Sequence, residues 1–392
     1  MTATTIHPQT ALLEAVLEHL DIPRSYYEKA VARHKSLGEW LCRPESRLAK
    51  LDPHVSPQGS FRYGTVIRPL VVSAEYDLDN VTTLRLEKTA LTQYQIKHLY
   101  GAEVKAYAQA NGMLAPVEEK HRCWRLLYAD EANFHLDTLP CLPEDNTVIG
   151  ALTARGVPAD LARRAVAITD RRHPQYEEIT AALLSSNPRG FAKWFESRAR
   201  QVAEHRIRKL VEAKIYATVD EVPPYEWKTP LQQSIQLLKR HRDIMFRKNP
   251  ADAPISMIIT NLAAHAYDGQ ADLGSALSHI VETMPSYIMP TRPRVPNPTD
   301  PAEDYADKWA KNPALEDHFW LWHTQLKHDM ARIAVACTER RLAPTVRTIF
   351  GLDLTQEQLR ALEPSVASAP AVVRAAPALV FPSAPKPWSD AI

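Results

Sequence analysis

At 392 residues, with 45% apolar and 24% charged side chains, the chain has material for one large folded unit or two ordinary ones, and its composition excludes a disordered or fibrous protein. Lys and Arg number 47 against 46 Asp and Glu, so no overall charge marks a nucleic-acid coat or an anionic-membrane binder, and any polyanion site must be local. Cys42, Cys123, Cys141 and Cys337 lie far apart with no CxxC pair, which argues against structural zinc and disulfides and for reduced thiols in a cytoplasmic protein.

Residues 1–25 carry a helical apolar pattern, Leu12, Leu13, Val16 and Leu20, interrupted by Glu14, Glu18 and His19 and followed by no small-residue cleavage site. That reads as a helix, not a signal peptide. No window approaches the roughly 18 uninterrupted apolar residues of a membrane span, so a soluble chain with no membrane partner is expected. From Thr10 to about Leu51 the spacing predicts a pair of helices or one long, broken helix. Asp52, Pro53 and Pro57 then interrupt it, Gln58 to Thr65 carries two glycines, and β-branched residues accumulate from Val66, where strands are expected to begin.

A second strand is expected over 133–139, with Phe134 and Leu136 on one face and His135 and Asp137 on the other. Beyond Pro188 the pattern is helical, over 189–215, 229–247, 254–266, 270–284, 301–311, 314–337 and 355–362, with proline-rich connections between. Glu363 to Ile392 holds six prolines and almost no apolar period, the composition of a flexible tail. The expected organisation is α+β: a catalytic lobe with N-terminal helices over 1–190, a helical lobe over 191–362, and the tail over 363–392.

The chemistry centres on Gln58-Gly59-Ser60, followed by Asp77-Leu78-Asp79 and later by Asp137. Alternation in a strand puts Asp77 and Asp79 on one face and Tyr76, Leu78 and Asn80 on the other. Two carboxylates about 7 Å apart repel unless cations lie between them. Two Mg²⁺ ions, or Mn²⁺ in their place, remove that repulsion and serve in-line phosphoryl transfer. Asp137 supplies a third carboxylate for metal ligation and for drawing off an acceptor proton, with His135 as a supporting neighbour. Gly59 lets the backbone approach a phosphate, and the Ser60 amide and hydroxyl can donate to its oxygens.

With these residues in view, Gln58-Gly59-Ser60-Phe61-Arg62-Tyr63-Gly64-Thr65-Val66-Ile67-Arg68-Pro69 and Glu75-Tyr76-Asp77-Leu78-Asp79 resemble the bacterial cGAS/DncV-like nucleotidyltransferases (CD-NTases) of CBASS antiphage operons. These belong to the polymerase-β-like superfamily. Thr229-Pro230-Leu231-Gln232, Leu237 to Asp243 and Pro254 to Thr260 resemble the family's helical lobe, which is of oligoadenylate-synthase type, and the likeness spans about residues 10–362. It implies a template-independent enzyme that joins nucleoside triphosphates (ATP, GTP or pyrimidine NTPs) into a cyclic di- or trinucleotide read by a CBASS effector. It also implies that Lys239 and Ser256 hold the donor triphosphate.

Each assignment has a plainer counterpart. Lys239 would otherwise be an exposed charge, Ser256 a helix N-cap, and Tyr63 either a base-stacking ring or a hairpin core residue. Thr229 is expected to cap a helix with Pro230 at its first position, and Leu231, Ile235, Leu238 and Met245 to form its buried stripe. Phe191, Trp194 and Phe195 are expected to pack the lobes together, with Arg189 a lesser base or phosphate contact. The basic run from Arg198 to Lys209 is interleaved with acids, so no activation by DNA is expected. In some relatives an accessory conjugating enzyme attaches the C-terminal tail to other molecules, although Ile392 departs from the small terminal residue usual there. Rival readings are a linear oligonucleotide synthase, a tRNA- or protein-modifying nucleotidyltransferase, and a catalytically silent nucleotide-binding regulator.

Overall fold

The computed structural model describes residues 8–71, 74–128, 133–200, 228–339 and 341–362. The expected tail and the continuation of the 189–215 helix past Arg200, with most of its basic run, lie outside these residues. The N-terminal pattern resolves into α1 (Pro8–Leu20) and α2 (Arg24–Cys42), parted at Asp21-Ile22-Pro23.

Next come β1 (His54–Gln58), the short helix α3 (Gly59–Tyr63), β2 (Tyr76–Thr83), α4 (Gln93–Ala110), β3 (Glu118–Glu119), β4 (Trp124–Tyr128) and β5 (Phe134–Pro143). The sheet runs β1-β2-β5-β4-β3, with β2 parallel to β5 and the other neighbours antiparallel. The strand expected from Val66 begins only at Tyr76. Among the described residues of 64–75 there is no strand or helix, and Pro69, which has no amide to donate, does not suit a sheet interior. An unexpected strand, β1, accommodates Pro57 because it is the sheet edge.

One sheet face, Tyr76, Leu78, Trp124, Leu126, Phe134 and Leu136, is buried against Ala30, Leu37 and Leu41 of α2 and Ile96, Tyr100 and Val104 of α4. This apolar face fixes the strand register, since a one-residue slip would turn every carboxylate inward. After α5 (Asn146–Ala154) and α6 (Ala159–Ala162), β6 (Val166–Ile168) and β7 (Leu184–Ser186) extend the sheet from the far end of β5.

The helical lobe contains α7 (Pro188–Arg200), α8 (Pro230–Met245), α9 (Ser256–Ala266) and α10 (Leu273–Thr283). The short hairpin β8 (Pro296–Asn297) and β9 (Asp300–Asp304) precedes α11 (Ala314–Glu339), α12 (Leu342–Phe350) and α13 (Gln356–Leu362). Leu12, Leu13, Val16 and Leu20 of α1 share this lobe's core with Leu231, Ile235, Leu238, Ile280 and Trp322. By packing, α1 joins the core of the helical lobe and α2 that of the sheet.

The helix expected over 301–311 is instead β9 followed by a single 3₁₀ turn at Asp307–Ala310. Asp304 accounts for this, because its carboxylate accepts from the amides of Arg294, Val295 and Ala306 and offers the backbone a local alternative to helix. Helix α12 is not among the expected helices; its Pro344 falls in the first turn, where no amide donor is missed.

Candidate active site

Register places the acids. Asp77 pairs with His135 and Asp79 with Asp137 across the parallel β2–β5 ladder, while Gln58 lies opposite Asp79 on β1 and Arg125 opposite Asp137 on β4. Side chains at the same register share a face, so the polar face of the sheet carries Asp77, Asp79, Arg125, His135 and Asp137 together.

Ligand atoms of Asp77, His135 and Asp137 lie within 4.8 Å of one another. His135 spans two acids, with Nε2 2.8 Å from Asp77 Oδ1 and Nδ1 2.8 Å from Glu75 Oε2. Burial opposes charge on this imidazole, but the hydrogen bond to Asp77 and its negative charge outweigh burial and push the pKa up. Asp79 is driven the other way: burial first, then the charges of Asp77 and Asp137, hold its carboxyl well above the usual aspartate range, with His135 and Arg125 only partly compensating. The cluster thus carries more negative charge than its own cations neutralise. That imbalance, with hard oxygen donors on one face, fits a divalent cation.

The phosphate-side element starts one residue after β1. Gly59 opens α3 at φ +66°, and a Cβ built there would collide with the Asp79 carboxylate. Only glycine meets both demands. The Ser60 carbonyl accepts from the Thr65 amide at 2.9 Å, which closes the turn. Tyr63, expected either to stack on a base or to join the core, lies in the core. Its ring centroid is 5.3 Å from both Phe191 and Phe195, and burial, reinforced by the charge of Asp79, pushes its hydroxyl up. The base-stacking role is not available to it in this arrangement, and the aromatic face of α7 packs the lobes as expected.

From the helical lobe, α8 is capped by Thr229 in a capping box with Gln232, with Pro230 at the helix start. Leu231, Ile235 and Leu238 are fully buried and Met245 partly so. Lys239 is not the exposed charge of the plainer reading: it is 5% exposed and donates to the Thr65 carbonyl at 3.0 Å. Burial, then the nearby Arg242, pushes this amine down to about 7, against the pull of Asp243, Asp77 and Asp79. Ser256 is not the N-cap of α9, a place held by Ile255; its hydroxyl accepts from Arg242 Nη1 at 2.9 Å.

Two residues of this site were not singled out in the sequence. Arg125 grips Asp137 with both Nε–Oδ1 and Nη2–Oδ2 at 2.7 Å, and Arg242 ties Ser256 to the Pro254 carbonyl. Arg125 was findable: with Trp124 and Leu126 buried, alternation turns it onto the acid face. For Arg242 the signal is its place three residues after Lys239 on one helix.

Since Arg125 occupies both oxygens of Asp137, Arg125→Gln should raise Mn²⁺ affinity in the nucleotide-free protein. An increase of about tenfold is expected, from loss of a charge-assisted competitor and of a nearby positive charge. Mn²⁺ titration followed by electron paramagnetic resonance checks this, and unchanged or weaker binding contradicts it.

A parallel strand pair bearing co-facial acids, an edge strand running into a Gly-Ser helix and a helical second lobe make up a polymerase-β-like nucleotidyltransferase fold. More narrowly, residues 53–141 match the nucleotidyltransferase domain family described as cyclic GMP-AMP synthase DncV-like. The chain is 28% identical over 346 residues to a c-di-GMP synthase of Roseivirga ehrenbergii, covering 87% of this chain and 84% of the relative. Identity to the cyclic dinucleotide synthase CdnG of Bradyrhizobium diazoefficiens is 25% over 328 residues, 78% of this chain and 71% of that one. The solved structure of CdnG in complex with GTP superposes with a TM-score of 0.62, at 22% identity, over 91% of this chain and 98% of that chain. Among the described residues no helix is long and apolar enough to cross a membrane.

Proposed function

We propose that this enzyme joins nucleoside triphosphates, GTP among them, into a cyclic dinucleotide that serves as a second messenger in antiphage defence. The observation that carries the chemistry is the placing of Asp77, Asp79 and Asp137 on one sheet face beside Gly59-Ser60. Two synthases to which the chain is similar support a cyclic dinucleotide, and the name of one of them, a c-di-GMP synthase, supports guanine.

In this reading Asp77, Asp79 and Asp137 hold two Mg²⁺ ions, with His135 steadying Asp77. When bound, such ions neutralise the triphosphate and lower the pKa of the attacking hydroxyl. The Ser60 hydroxyl and amide and the Lys239 ammonium bind phosphate oxygens, and Ser256, held by Arg242, adds a hydroxyl from the second lobe. Gln58 ends the strand facing Asp79 and borders the same phosphates. Asp137 accepts the proton of the acceptor hydroxyl as its oxygen bonds to the donor α-phosphorus and pyrophosphate departs with the broken bond's electrons. A second transfer of the same kind closes the ring. GTP with Mg²⁺ should release pyrophosphate; its absence with every combination of triphosphates would overturn the reading.

Lys239 gives this scheme a pH signature. Its amine, held near 7 in the free protein, must be charged to bind a triphosphate, so a rise in pH through that value removes the charge and weakens binding. KM for the triphosphate should climb by up to about tenfold per pH unit above ~7, and complex formation at pH ~8 should take up a proton. Calorimetry in buffers of different ionisation enthalpy reads that uptake, which Lys239→Met should abolish. Equal uptake by wild type and variant would contradict the assignment.

A further inference from the structure

Four side chains of α8 each donate to a main-chain carbonyl at the end of α3 or in the irregular segment that follows it. Gln232 Nε2 reaches Tyr63 O at 2.8 Å, Lys239 Nζ reaches Thr65 O at 3.0 Å, Gln236 Nε2 reaches Val66 O at 2.7 Å, and Arg240 Nη2 reaches Arg68 O at 2.6 Å. Positions 232, 236, 239 and 240 form one stripe of the helix. The segment they grip has no ladder of its own, so α8 supplies the partners that a sheet would otherwise give.

These contacts are directional in a way that apolar packing would not be. Gln232 commits its oxygen to the Thr229 amide at 2.8 Å in the capping box, which leaves its NH₂ aimed at Tyr63 O. Gly64, at φ +65°, makes room: a Cβ there would stand 2.6 Å from that same nitrogen. Gln236 is fully buried, and its NH₂ also reaches Asp21 Oδ1 at 2.8 Å, where Lys228 lands as well. One amide thus joins α8, the α1–α2 junction and the segment after Ser60.

The path to the phosphate side is short. Thr65 donates its amide to Ser60 O and accepts Lys239 at its carbonyl, so the residue next to the Gly-Ser turn is held from both sides. Lys239 is the member of the stripe that the proposed chemistry calls away to the triphosphate.

We infer that Gln232 and Gln236 are positioning residues for the nucleotide: they keep the Tyr63–Arg68 segment, and through Thr65 the Ser60 turn, in place when Lys239 leaves Thr65 for the triphosphate. The inference rests on the reading of the site given above. Gln236→Met keeps length and burial and removes both donated bonds, and Gln232→Met serves as a second variant should the first fail to fold. Binding of a non-hydrolysable GTP analogue and KM for GTP should each weaken about tenfold, the scale of one or two lost hydrogen bonds, with kcat at saturation within about threefold of wild type. Amide hydrogen exchange over residues 63–68 should quicken in the same variants.

A merely structural role would lower kcat through loss of folded enzyme and leave affinity and KM unchanged, and that result would overturn the inference. Wild type that binds GTP yet makes no product counts against the proposed reaction alone, because the affinities still test the two glutamines. A wild type that binds no triphosphate overturns both.

Discussion

Replacing Asp77 and Asp79 together by alanine is expected to reduce product formation by at least about 10³-fold, the loss of several kcal/mol of transition-state charge stabilisation, while the protein remains folded. The single change Asp79→Asn carries a sharper expectation, because it separates activity from stability. In the metal-free protein the Asp79 carboxyl sits well above its ordinary 3.8, through burial and the charges of Asp77 and Asp137. A carboxyl raised on folding binds its proton more tightly in the folded state. Its contribution is fully present below the unfolded value and is lost as pH rises through the folded one. At neutral pH an ionised Asp79 therefore costs stability unless a cation is bound. Asp79→Asn should silence the enzyme and, in EDTA at pH 7 or above, raise its melting temperature by about 1 °C, the shift that ~1 kcal/mol gives in a chain of this size. A lower melting temperature in EDTA would show that Asp79 is stabilised by neighbours, contrary to the imbalance described.

Gly59→Ala should silence the enzyme from the opposite direction. The residue stands at φ +66°, where a side chain costs about 1–2 kcal/mol, and its new Cβ would press on the Asp79 carboxylate. Both the Ser60 turn and the acid would shift, and a displacement of about 1 Å at a reacting centre costs on the order of 10²-fold in rate. Thermal unfolding should show a fall here, where Asp79→Asn shows a rise. Retention of near wild-type turnover by Gly59→Ala would mean that the turn and the acid are not coupled as the geometry requires.

The acids were legible because strand alternation is a local rule: Tyr76-Asp77-Leu78-Asp79-Asn80 and Phe134-His135-Leu136-Asp137 each declare which residues share a face. What the residues could not declare is that β2 and β5 run parallel and in register, which sets Asp79 beside Asp137. The same gap hid Arg125, whose role depends on β4 lying next to β5. Lys239 was misread in its plainer version because the apolar stripe of α8 marks only the face toward the helical core. Its other face is buried too, against backbone carbonyls that leave no hydrophobic signature. Tyr63 was ambiguous for a related reason, since an aromatic beside a glycine-rich turn suits a base and a core equally until Phe191 and Phe195 are seen to enclose it. The helix expected at 301–311 failed on side-chain chemistry, because Asp304 binds the Ala306 amide that a helix would have used and ties the segment to the amides of Arg294 and Val295.

Cyclisation is the central claim, and one measurement reaches it most directly. The purified chain is incubated with the four nucleoside triphosphates and Mg²⁺, treated with phosphatase, and the product mass is determined. A phosphatase-resistant cyclic dinucleotide containing guanine, absent from the Asp77→Ala, Asp79→Ala double variant, is the predicted result. A product that loses terminal phosphates and remains linear, or a nucleotide mark left on RNA or protein, would contradict it.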